Sequence, residues 1–175
     1  CSTYMAAAAA SASGGAFSEH IAWDEKAMFI EIPAKFVWEA VTIWDMSDQP
    51  LDEGDALGEV VGDGKKPGDS RRTSYCGVKM HDVVRHYNPV DMSASWWLRH
   101  DGIDPERCFV SVKVTPVEIG KRTGCILSAF GESYVDPKAD NAILKLWRGM
   151  HILTYFGAAT ERFAQGMLDK AKATA

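Results

Sequence analysis

Positive charge is scarce in this chain: 19 Lys and Arg stand against 24 Asp and Glu, for a formal net charge of −5, and the pI is about 5.5. The only basic clusters, Lys65-Lys66 and Arg71-Arg72, are short and have acidic neighbours, so no nucleic-acid footprint is expected. No apolar run approaches the roughly 18 residues that a membrane-spanning helix needs. The cysteines Cys1, Cys76, Cys108 and Cys125 form no CxxC pair and have no histidine at zinc-finger spacing, which argues against a structural zinc site. The last three fall in predicted strands, where a free buried thiol behaves as a small apolar side chain. His81 and His86 differ in strand parity and make a poor metal pair. GxGxxG, HExxH and GxSxG are all absent, and in Gly62 to Gly68 a proline, Pro67, sits where a phosphate loop needs its hydroxyl. The carboxylates between Asp101 and Glu106 lack calcium-loop spacing. Neither a metal nor a cofactor is expected.

What is present is an ordinary globular composition, 46% hydrophobic and 25% charged over 175 residues, enough for one domain with a continuous core. Residues 1–15 are small and uncharged, with five consecutive alanines, and read as a low-complexity tail ahead of a single domain over 16–175. A chain that begins with Cys1 suggests processing: removal of an organelle-targeting peptide, export, or lipoprotein maturation with acylation of Cys1, against a plain flexible tail. The compartment itself is not legible.

Residues 27–32 form a β-like run stopped by Pro33, which suits the first turn of a helix over Ala34 to Trp44. A second short helix is expected around Ser47 to Leu51, and a short strand at Glu59-Val60-Val61. Strands follow at 70–76, 80–87, 93–100, 107–116 and 122–134, joined by links short enough for antiparallel hairpins. From Ala139 to Lys172, Ile143, Leu146, Met150, Leu153, Gly157, Thr160, Ala164 and Met167 recur at helical spacing. Such a helix would be about 51 Å long.

The order of these elements, together with Pro67-Gly68-Asp69-Ser70-Arg71, Val83-Val84-Arg85 with Asp91, Ile32-Pro33-Ala34 with Val37-Trp38, and above all Gly131-Glu132-Ser133-Tyr134-Val135-Asp136, resembles the START/Bet v 1-like (SRPBCC) superfamily over residues 26–168. Within it the likeness is nearest to polyketide cyclase/dehydrase-type proteins and plant abscisic-acid receptors. The resemblance implies an α+β helix-grip fold, a curved antiparallel β-sheet wrapped around a long C-terminal helix, with two short helices after the first strand. It also implies an internal cavity for a lipid, hormone, polyketide or other largely apolar molecule. Hormone reception itself is not expected. The segment Gly54 to Asp63 lacks the anchoring lysine, and neither Cys76-Gly77-Val78-Lys79-Met80 nor Asp104-Pro105-Glu106-Arg107 reproduces the receptors' gate and latch.

The matching glutamate in the hormone receptors faces the cavity. With Glu132 placed likewise, strand alternation brings Ile126, Ser128 and Phe130 to its side. The neighbouring strands then contribute Val83, Arg85, Tyr87, Trp97, Arg99, Phe109, Ser111 and Lys113, and the helix contributes Trp147 or Arg148, His151 or Ile152, and Tyr155 or Phe156, with Trp147, His151 and Tyr155 preferred. A one-residue register error reverses every strand assignment. Arginines around a glutamate would anchor a carboxylate or polarise a carbonyl, with aromatics covering an apolar body, or would pair only among themselves. His151 with Glu132 is the candidate catalytic pair for an aldol cyclisation or dehydration. Three functions follow: binding or transfer of a hydrophobic small molecule with a polar head, a non-catalytic accessory role with protein partners in a larger assembly, and a cyclase or dehydratase.

Overall fold

The computed structural model describes residues 17–44, 56–75, 78–100, 102–140, 144–145, 148 and 152–174, without the side chains at 23–25, 75, 78 and 152–156. Seven strands, β1 (Glu19–Ile30), β2 (Ala56–Val61), β3 (Ser70–Tyr75), β4 (Val78–Asn88), β5 (Ser93–Arg99), β6 (Phe109–Ile119) and β7 (Arg122–Val135), form one antiparallel sheet. Their order is β1-β7-β6-β5-β4-β3-β2. Helix α1 (Ala34–Val41) follows β1, and helix α2 (Ile152–Ala173) closes the chain.

Each consecutive strand pair from β2 to β7 is a hairpin or short connection, so local links dictate the neighbours. Only β1 crosses the molecule to pair with β7. Gly120 takes a positive φ of 63° in the β6–β7 turn, a conformation that costs glycine nothing. Pro33 precedes α1 with φ −54°, already close to the helical value. Thr42 ends that helix, its Oγ1 donating to Trp38 O at 2.7 Å.

Burial is segregated by face. On β6, Val110, Val112 and Val114 are buried; on β7, Cys125, Leu127, Ala129, Ser133 and Val135; on β4, Met80, Asp82 and Val84. This inner face receives the helices. Trp38 and Trp44 are buried at 7% and 5% exposure and join the same core, as do Leu144 and Ala164. A Cβ added at Gly157 of α2 would run into Met28 Sδ, and Met28 pairs in register with Leu127. The Met28 side chain packs directly against the helix at this glycine, so a larger residue there would have to displace it. Arg148 Nη2 donates to Glu19 Oε2 at 2.8 Å and ties the segment before α2 to β1.

Several expectations change. The first strand runs over 19–30 rather than 27–32, with a register irregularity between Trp23 and Lys26. The first helix stops at Val41 rather than Trp44. Ala139 and Asp140 are not helical, and the described part of the last helix is continuous over Ile152–Ala173. The expected helix at 47–51, the tail at 1–15 with Cys1, and Cys76 lie outside the described residues. Among the described residues no helix is long and apolar enough to cross a membrane.

Candidate functional site

The strand side chains expected to point inward lie, with one exception, on the sheet's other face. Val83, Trp97, Phe109 and Glu132 are successive partners across β4, β5, β6 and β7, and form one outer row. His86, Ser95, Ser111 and Phe130 form the next, then Ser93, Lys113 and Ser128. Arg99 faces outward opposite His81, and Arg85 stands outward over Trp97. The inward expectation is therefore corrected for Val83, Arg85, Trp97, Arg99, Phe109, Ser111, Lys113, Ile126, Ser128, Phe130 and Glu132. The reason is hydrophobic: the face carrying Val110, Val112, Val114 and Leu127 removes more apolar area from water, and a period-two strand can bury only one face.

Tyr87 is the exception. A register shift between Val84 and His86 makes Arg85 an extra residue in β4, so the parity reverses beyond it. Val84 and Tyr87 are both inward, and the Tyr87 ring lies 5.2 Å from that of Trp38. Trp147 and His151 lie outside the described residues, as does the side chain of Tyr155. Glu132 meets a different histidine: His20 Nε2 is 3.6 Å from its Oε2, and the His20 ring stacks on Tyr134 at 4.5 Å.

The outer rows enclose an open groove of about 360 Å³. Its short side chains are Ser93, Ser95, Ser111 and Ser128, and its larger ones are His86, Lys113 and Phe130. Serines lower the surface between the bulkier neighbours, which is why a depression exists on an open sheet. Phe130 is 44% exposed, unusually high for a phenylalanine on a sheet. Ser93 Oγ donates to Asp91 Oδ1 at 2.6 Å and stands 3.2 Å from His86 Nε2. With the serine proton directed to the carboxylate, His86 is not placed as its general base.

Charge on this face departs from the chain's acidic average. The outward positions of β3 to β6 include Arg72, Lys79, Arg85, Arg99 and Lys113 and no carboxylate. Arg71, Arg72, Arg107, Arg122 and Arg148 each pair with an acid, whereas Arg85 and Arg99 pair with none among the described residues. His81 is held below its ordinary pKa, first by partial burial and then by the positive charges of Arg72 and Arg99. No metal-binding cluster of His, Cys, Asp or Glu occurs among the described residues.

The inner face holds a polar feature that sequence reasoning missed. Arg71 and Asp82 are direct partners across β3 and β4, with Arg71 Nε donating to Asp82 Oδ2 at 2.9 Å and Nη1 donating to Ile43 O at 2.9 Å. The Trp44 ring covers the guanidinium at 4.8 Å. Doublets such as Arg71-Arg72 carry no sign of which member is inward; only the strand's parity decides.

Both described cysteines are buried. Burial pushes the Cys108 thiol up to about 12, against a hydrogen bond with Ser133 Oγ at 3.2 Å, and pushes Cys125 up to about 11. A neutral thiol is a poor nucleophile. Iodoacetamide at mildly alkaline pH is therefore expected to leave both unlabelled in the native protein and to label both in guanidinium, read by peptide mass spectrometry. Native labelling at the rate of a free thiol would refute their burial.

No family model matches the sequence, and no curated protein matches it. Solved structures do. Norcoclaurine synthase from Thalictrum flavum, in complex with dopamine and hydroxybenzaldehyde, aligns with a TM-score of 0.60 at 12% identity, over 87% of this chain and 89% of that one. Ara h 8.0201 aligns with a TM-score of 0.59 at 12% identity, over 85% and 99%. A protein from Nitrosospira multiformis gives 0.52 at 15% identity, over 79% and 92%. With seven antiparallel strands in this order, a helix after the first strand and a long helix at the end, the chain has the Bet v 1-like, SRPBCC-type helix-grip fold.

Proposed function

We propose that this protein binds an amphipathic small molecule with an acidic head, and that the ligand lies in the outer-face groove. The observation that carries the reading is the groove itself: Lys113 has no acidic partner among the described residues and stands beside the hydroxyls of Ser111 and Ser128 and the exposed ring of Phe130. Lysine and serines supply donors for a carboxylate or phosphate head; Phe130 supplies apolar surface for its body. A volume of about 360 Å³ suits a ligand of modest size. On the inner face, Val84, Val114, Cys125 and Leu127 are at most 2% exposed and form packed core.

Decanoate, with decanol as its uncharged counterpart, tests this by NMR titration of amide shifts. Decanoate is expected to shift amides around Ser111, Lys113 and Phe130 more strongly than decanol. Lys113→Met is expected to weaken decanoate about tenfold or more, the worth of one charge-assisted hydrogen bond. Equal binding of acid and alcohol, or an unaffected K113M, would remove the reading.

The strip formed by half-buried Trp97 and Phe109 and exposed Phe130 favours a second reading, an accessory subunit that docks through this face, because surface aromatics beside arginine are the composition of interface anchors. Elution from its native source at the size of the 19.2 kDa chain alone would exclude it.

A further inference from the structure

From the placement of Arg85 we infer that the groove's ligand carries two acidic groups, one at each end of an apolar chain, with Arg85 holding the second; this rests on the groove reading above. Arg85 is the extra residue of the β4 irregularity. Its guanidinium carbon lies 4.8 Å from the Trp97 ring and 4.6 Å from the Phe109 ring. Those rings meet edge to face, 6.0 Å apart at 80°, so the cation sits in a corner with an aromatic on each side.

Contact with two rings restrains the guanidinium while its N–H groups pair with no acid among the described residues, and planar donors of this kind suit a carboxylate or phosphate. No acid among the described residues takes that place. Glu132, the carboxylate next along the row, is turned toward His20. An arginine restrained by two rings and paired with no acid is the arrangement expected of a group that receives an external anion.

The two cations are joined by apolar surface. Phe109 lies 5.7 Å from Phe130, which lines the groove with Lys113. Phe109 and Lys113 are four residues apart on β6, about 13 Å along a strand. A ten-carbon chain with a carboxylate at each end has about that span. Lys113 and Arg85 would take its ends, and Phe130 and Phe109 its middle.

Sebacate (decanedioate), decanoate and glutarate, titrated by NMR at matched ionic strength, separate the alternatives. Sebacate is expected to bind the wild-type protein about tenfold tighter than decanoate, with shifts at both Lys113 and the Trp97 indole. Glutarate, too short to reach both cations, should gain nothing over decanoate. In Arg85→Met the sebacate-to-decanoate ratio should fall to about one, and Arg85→Lys, which keeps the charge without the planar fork, should restore it only in part. Decanoate binding with no sebacate advantage, or an advantage surviving in R85M, would overturn the two-acid inference and leave the groove reading standing. Binding of none of the three would overturn both.

Discussion

Arg71→Met is expected to destabilise the protein by about 3–5 kcal/mol, because it leaves Asp82 as a buried charge without its partner. The side chains of Arg71 and Asp82 are 12% and 5% exposed, so solvent cannot replace the lost guanidinium. Asp82 Oδ1 already has no hydrogen-bond partner, and removal of Arg71 also takes a donor from Ile43 O and the cation from the Trp44 ring. The loss therefore spreads from β3 and β4 to the segment after α1. Urea unfolding followed by circular dichroism measures it, with the midpoint shift read at constant slope. The double variant Arg71→Met with Asp82→Leu should recover most of the stability, since a packed apolar pair avoids the desolvation that the ion pair has to offset. An R71M protein within about 1 kcal/mol of wild type would show that the pair is not a structural requirement.

Leu127→Ala is expected to cost about 2–5 kcal/mol, the range for a large-to-small change in a packed core. Leu127 is 1% exposed on a strand flanked by β1 and β6, faces Val114 and Met28 in register, and so leaves a void that neighbours on two strands must fill. Phe130→Ala, three residues on and on the opposite face, should cost less than about 1 kcal/mol although it removes a larger side chain. The pair is a direct test of which face is the core. If F130A proved the more damaging, the sheet's sides would have to be exchanged, and the groove with them. Thermal unfolding of the two variants beside wild type gives the ranking.

The site was less legible than the fold because its placement depends on parity. The strand β6, Phe-Val-Ser-Val-Lys-Val from Phe109 to Val114, alternates bulky or polar residues with three valines, and that pattern alone selects Val110, Val112 and Val114 as inward. Strand β7 is ambiguous over Cys125 to Phe130, where Ile126 and Phe130 on one side compete with Cys125, Leu127 and Ala129 on the other. Anchoring the parity on Glu132 by resemblance placed eleven side chains on the wrong face; the valines of β6 orient Phe109, Ser111 and Lys113 outward without it. Tyr87 escaped because of the irregularity at Arg85, which no residue type in Val83-Val84-Arg85-His86 announces.

Element order and hairpin connections were legible from local signals: period-two runs, turn residues, Pro33, and the helical spacing from Gly157 to Met167. Tertiary structure decided which face of the sheet is covered, where β4 gains its extra residue, and that Arg71 finds Asp82 while Arg85 finds only rings. Local preference is nearly equal for the two faces of a strand; the choice is made by the total apolar area that the helices cover. That collective choice put the serines, Lys113 and Phe130 on the open side, where the groove lies.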